Sequence, residues 1–225
     1  MDQGLLSLIA ASLAFVGTHF ALSHPLRAPA VKLAGEGGFA VLYSAVAAAC
    51  MVWMYFAFTA SPTADLGGSG QIGWIVATVL TLPALVLFLG SLRGNPALAA
   101  PGAQEAARSE PSGVLRVTRH PMMCGFALWA IAHIALWWSW RTNIVALAIL
   151  ILALVGARLQ DAKKERLMGE AWTGWEAKTS YWPRWTRLFS AGALLWIGAI
   201  AAWLGITWWH IAAGGIPAGI WRWVG

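Results

Sequence analysis

Charge is what this 225-residue sequence has least of: Asp, Glu, Lys and Arg together make up 11% of it. A soluble domain carries about 25% charged residues. With 59% hydrophobic residues and a mean hydropathy of +0.66, that shortage excludes a soluble globular domain and identifies an integral membrane protein. Cysteine is almost missing as well. Cys50 and Cys124 both fall inside apolar runs, so a disulfide framework is excluded and buried free thiols are expected. No Cys-x-x-Cys occurs, and none of the five histidines has metalloprotease spacing, which leaves zinc chemistry unsupported. No acid–base pair lies within an apolar run, and there is no clear internal repeat.

What the chain does have is apolar runs, at about 5–24, 38–59, 72–92, 121–139, 143–157 and 188–209. Most approach the ~20 residues that cross a ~30 Å hydrocarbon core. The fifth is short, so a helix continuing into the following loop must complete it. The first lacks a basic flank and a small-residue cleavage site, and reads as a retained helix rather than a signal peptide. The tail after residue 210, rich in Gly and Trp, is a candidate seventh, interfacial piece. The expected fold is therefore an all-α polytopic membrane bundle of about six spanning helices, forming a single domain over 1–225.

Net charge is +6, but its distribution argues for topology and against nucleic acid. Thirteen of the fifteen basic residues lie in alternate loops, from Arg27 and Lys32 through Arg93, Arg108, Arg116 and Arg119 to the 158–187 stretch. Only Arg141 and Arg222 lie opposite. The positive-inside rule then puts the basic loops in the cytoplasm and both termini outside. Trp137, Trp138, Trp140, Trp208 and Trp209 mark the outer interface as an aromatic belt. The stretches 59–71 and 94–113 read as flexible connections. Residues 161–183 read as one charged amphipathic helix whose Leu167, Trp172 and Trp175 lie on the inner membrane surface.

Histidines in such a chain are functional suspects, because hydrocarbon does not solvate them. "RHPMMCGFALWAIAH" (119–133) has one at each end. His120 and His133 are roughly 20 Å apart along a helix and cannot share one ion. Arg119 and His120, before a proline that suits a first helical turn, form either an anion-attracting corner or a positive anchor. His133 shares a face with Phe126, Trp129 and Trp137. That stripe suits a haem wall and a helix–helix contact alike. His24 and His210 sit at boundaries. Cys124 shares the face of His120, where a small packing residue and a thiolate ligand are both readings.

"THFALSHPLR", "VTRHPMMCGFALWAIAHI" and "QDAKKERLMGEAWTGWEAKTSYWP" resemble the NnrU family over essentially the whole chain to about residue 200. The resemblance implies a bacterial membrane protein of nitrogen-oxide metabolism and denitrification. It also implies kinship with plant 15-cis-zeta-carotene isomerase, a membrane enzyme carrying haem b. Its two histidine ligands fall by motif on His19 and His133, and a cysteine of its motif falls on Ala130. Depth argues otherwise. At ~1.5 Å per residue, His19 lies near the inner face and His133 near the outer, a mismatch of more than about 10 Å. Depth pairs His133 with His210 instead, and His19 with His24 or His120.

A more distant likeness is to isoprenylcysteine and phospholipid methyltransferases. Arg119, His120 and Pro121, with Glu165, Leu167, Gly169 and Pro183, match their pattern in part. In those enzymes this corner binds S-adenosylmethionine. Trp172 and Trp175 stand near where tyrosines are expected. Three functions follow as expectations. The first is a haem b protein, acting in nitrogen-oxide metabolism or as a cis–trans isomerase of an apolar polyene between walls of Phe126 and Trp129. The others are a methyltransferase and a non-catalytic haem sensor or assembly factor.

Overall fold

A computed structural model describes residues 2–63, 66–67, 70–98 and 100–224, and no strand occurs among them. The six apolar runs become α1 (Gln3–Ser23), α2 (Arg27–Ala60), α3 (Gln71–Gly90), α5 (Pro121–Ala135), α6 (Trp140–Met168) and α8 (Ala193–Gly214). Between and after them lie three short helices: α4 (Ala103–Arg108), α7 (Glu170–Lys178) and α9 (Trp221–Val224). Five of the six apolar helices are long enough to span a bilayer. The exception is α5, whose 15 residues reach about 22 Å.

Boundaries follow local chemistry. Asp2 caps α1 by accepting from the Leu5 amide at 3.1 Å, and Ser139 caps α6 by accepting from Thr142 at 3.3 Å. The fifth run is completed in both directions, from Trp140 to Met168, where the sequence marks only 143–157. The second helix starts eleven residues before the apolar run at 38, with a non-helical kink at Gly35 dividing a charged stub from the spanning part. The fourth ends at Ala135 rather than 139, because the chain turns through Trp137 (φ 49°) to reach the Ser139 cap. The C-terminal tail supplies no seventh span. It folds back as the four-residue α9, with Trp221 Nε1 donating to Leu204 O at 3.1 Å.

The apolar helices stand in a row: α2 packs on α1, α1 on α6, α6 on α5, α5 on α3, and α3 on α8. Small residues make these contacts. Ala11, Ala57, Ala84, Ala127, Ala130, Ala132, Ala146 and Ala153 are buried, whereas Leu13, Val41, Tyr55, Phe56 and Ile72 point outward. Lipid is as apolar as leucine, so within a bilayer close backbone approach rather than leucine burial favours association. Between α3 and α5 the approach is close from both sides, since a Cβ at Gly73 would lie 2.6 Å from the Ala135 carbonyl oxygen and one at Gly125 2.7 Å from the Ala84 carbonyl oxygen.

The two ends of the row differ. At the aromatic end lie both described termini, and the two isolated arginines are engaged there. Arg141 donates to the carbonyls of Phe58 and Ser61, both at 3.3 Å, closing the end of α2. Arg222 lies over the Trp74 ring at 4.3 Å.

At the basic end a compact cap forms. It comprises α4, α7, the last turns of α6, and 3-10 turns at Gly113–Arg116 and Trp185–Ala191. Three expectations are corrected here. Residues 161–183 are not one helix: Gly169, at φ +55°, ends α6 and turns the chain into α7. Trp172 and Trp175 do not lie on a membrane surface. They are the largest fully buried side chains, packed on Ala97, Ala107 and Leu115, because the cap gives them a core away from lipid. Nor is 94–113 a loose connection. Lys164 Nζ donates to the carbonyls of Pro96 (2.8 Å) and Leu98 (3.0 Å), Gln160 donates to that of Ala97 (2.7 Å), and residues 103–108 are helical. Position 99, and positions 64, 65, 68 and 69 of the 59–71 connection, lie outside the described residues.

Candidate functional site

Polar chemistry gathers in two places, and the first is the start of α5. Pro121 occupies the first helical position after His120. The preceding strip 117–119 is zipped to 180–184 from the far side of the cap. The Arg119 amide donates to Ser180 O (2.9 Å), the Thr118 hydroxyl to Tyr181 O (2.8 Å) and the Arg184 amide to Val117 O (2.8 Å). These bonds aim Arg119 and His120 at the extended end of α6.

There both meet Asp161. Arg119 grips its carboxylate through Nε (3.1 and 3.2 Å) and Nη2 (2.7 Å), and also reaches Glu176 of α7 at 3.1 Å. His120 Nε2 donates to Asp161 Oδ1 at 2.7 Å. Arg119, His120 and Asp161 are all buried. Tyr181 lies against both side chains, 5.6 Å from the imidazole and 5.4 Å from the guanidinium. Its hydroxyl donates to Leu154 O at 3.2 Å. Burial, then the Asp161 charge, pushes that hydroxyl's pKa upward, so it stays a donor.

This cluster ties the starts and ends of three helices together. One guanidinium faces two carboxylates, so its charge is more than balanced and the corner has no net pull on an anion. With Nε2 bonded to Asp161, Nδ1 of His120 is buried without a partner among the described residues. The indole nitrogens of Trp172 and Trp175 are likewise buried and unpartnered. Asp161, Glu176 and Tyr181 are the residues that sequence reasoning missed. A signal for the first existed: the buried stripe Ala146, Ala153, Ala157 continues at helical spacing onto Asp161 and Lys164.

The second place is the remaining histidines, three of which share one geometry. His19 Nδ1 bonds Phe15 O at 2.7 Å, His133 Nδ1 bonds Trp129 O at 2.8 Å, and His210 Nδ1 bonds Ile206 O at 2.8 Å. A carbonyl only accepts, so each Nδ1 carries a proton, and the neutral form of such a ring keeps its lone pair on Nε2. His133 stacks on Trp129 with ring centroids 4.0 Å apart. Phe126, half exposed on the same face, reaches Phe88 of α3 at 5.4 Å.

The structure does not bring His19 and His133 together. His19 sits against Phe15 and, across the helix pair, Tyr43 of α2. It is four residues from the basic end of α1, whereas His133 is two residues from the aromatic end of α5. Helix α6 stands between them in the row. His133 and His210 lie at the same end, with α3 between their helices in the row. Cys124 packs against Val86, Leu87 and Val114 as a small hydrophobe. Among the described residues, no three His, Cys, Asp or Glu side chains converge as a metal cage.

A family model described as NnrU protein matches residues 7–218. No curated protein and no solved structure matches the chain significantly.

Proposed function

The chain belongs to the NnrU family, and from that premise we propose that it is an integral membrane haem b protein in which His133, with His210 as its partner, would hold the group. One observation carries the reading: the His133 proton is committed to the Trp129 carbonyl, which leaves Nε2 free to ligate. Metal-bound histidines are oriented in this way, with the second nitrogen donating to a carbonyl or carboxylate. One helix intervenes in the row for either pairing, α6 between His19 and His133 and α3 between His133 and His210, so the choice rests on depth: His133 and His210 both lie near the aromatic end, whereas His19 lies near the basic end.

In this reading haem iron supplies one-electron chemistry to an apolar polyene, or to nitrogen oxides, the setting that the family resemblance implies. The protein's part is steric and electrostatic. Trp129 fixes the plane of the His133 ring, and Phe126 and Trp129 form a greasy wall open to the bilayer, from which an apolar substrate would arrive. The basic cap faces the cytoplasm of an inner membrane, with both termini outside. A methyltransferase is the weaker reading, since Arg119 and His120 are engaged by Asp161 and Glu176 rather than left for S-adenosylmethionine.

The visible spectrum of protein purified in detergent from haem-replete cells tests the proposal. A Soret band that survives His19→Ala, collapses in His133→Ala and shifts in His210→Ala is the expected result. Absence of Soret absorbance in the unmodified protein overturns it, as does loss confined to His19→Ala. A product assay on a cis-polyene then separates an isomerase from a sensor or assembly factor.

A further inference from the structure

An open cavity of about 390 Å³ lies on the basic cap, lined by Glu110, Pro111, Arg116, Lys178, Arg184 and Arg187. Four cations face one carboxylate there. Lys178 is paired with Glu110 at 2.8 Å, and Arg116 Nε donates to Pro111 O at 3.1 Å. Arg184 and Arg187 are exposed, and among the described residues neither has an acidic partner. The cavity therefore keeps an uncompensated charge, in contrast to the corner at Arg119.

Its walls are held in place. Arg116 ends one 3-10 turn, and Arg184 and Arg187 begin the other. The turns are joined by the Arg184 amide to Val117 O and by the Ser190 hydroxyl to Gly113 O at 3.1 Å. Leu188 roots the second turn in the core beside Val86 and Leu87. Three guanidinium groups thus border a single recess without having to be gathered from solvent. Such forks match phosphate oxygens bidentately.

The same segment points apolar groups outward. Trp182, Phe189 and Leu194 are 70%, 79% and 87% exposed, and Trp185 is exposed beside them. Rings and leucine of that exposure belong at a membrane interface, not in bulk water. The recess therefore sits at headgroup depth with acyl-compatible surface alongside. We propose that Arg116, Arg184 and Arg187 form a binding site for the phosphodiester headgroup of an anionic phospholipid. This inference is independent of haem.

Binding of short-chain phosphatidylglycerol to the detergent-solubilised full chain, read by native mass spectrometry, tests it. The unmodified protein retains phosphatidylglycerol in preference to phosphatidylcholine of equal chain length, and inorganic phosphate does not displace it. The Arg184→Gln/Arg187→Gln variant loses roughly 30-fold in affinity. Lys32→Gln/Arg93→Gln, which removes the same charge elsewhere on the basic end, loses less than about 3-fold. Equal losses in the two double variants overturn the site as nonspecific attraction. Equal retention of the two lipids overturns it too, and displacement by inorganic phosphate reassigns it to a free anion. Glu110→Gln keeps the test open if the arginine variant fails to fold. It removes the competing carboxylate and tightens binding, and unchanged affinity there counts against the site.

Discussion

The cap and the bundle are built from one chain by opposite rules. In the cap, Trp172 and Trp175 are fully buried around Ala97, Ala107 and Leu115, and an ionic cluster sits beside them. In the bundle, the buried surface is mostly alanine while phenylalanine, tyrosine and leucine face outward. Water drives the first arrangement, since burying an indole removes apolar area from it. Lipid removes that drive, and only packing and hydrogen bonds hold the second. Side-chain size is thus no guide to importance here unless the surrounding solvent is known.

That contrast breaks most visibly at a single tryptophan. Trp172→Ala is expected to cost about 4 kcal/mol of stability, while Phe56→Ala, which also deletes an aromatic ring but a lipid-facing one, stays within about 0.5 kcal/mol. Chemical unfolding in mixed micelles compares the two directly. Next in size, Asp161→Ala leaves Arg119 buried without its main carboxylate and costs about 3 kcal/mol. Arg119→Met in that background restores part of the loss, which a double-mutant cycle reads out. Gly125→Ala pushes a methyl against the Ala84 carbonyl and costs about 2 kcal/mol, measured as a lowered Tm in detergent. Smallest is Thr81→Val, which removes the acceptor of the Trp203 indole (2.9 Å) between α3 and α8. Its cost is about 0.6 kcal/mol, the size of a typical hydrogen bond between membrane helices.

The sequence is most readable where lipid imposes its own regularity. Long apolar runs, the basic loops and the tryptophan belt locate six helices and their alternation, because a bilayer permits little else. Reading fails in the cap, where ordinary long-range packing returns. Arg119 and His120 attract notice from sequence alone. Their partner does not, because Asp161 lies more than forty residues away inside a stretch that reads as a solvated amphipathic helix. Trp172 and Trp175 are misplaced for a related reason: the core that receives them comes from 97–115, which is too poor in apolar residues to look like one. At the histidines, motif matching and depth disagree over His19. Their places along α1 and α5 explain the disagreement, since a motif carries no information about the depth at which its residue lies.

The mismatch between α5 and α6 has a mechanical consequence. The two lie side by side, yet one is about 22 Å long and the other about 43 Å. The Arg119–Asp161 ion pair pins the shorter helix to the longer at the cap, and a four-residue turn through Trp137 joins them at the far end. A change in bilayer thickness asks the two to tilt by different amounts. With one end pinned, the difference is taken up as torsion in that turn, four residues from His133. Membrane thickness and the ring orientation of that histidine are in this way geared to each other.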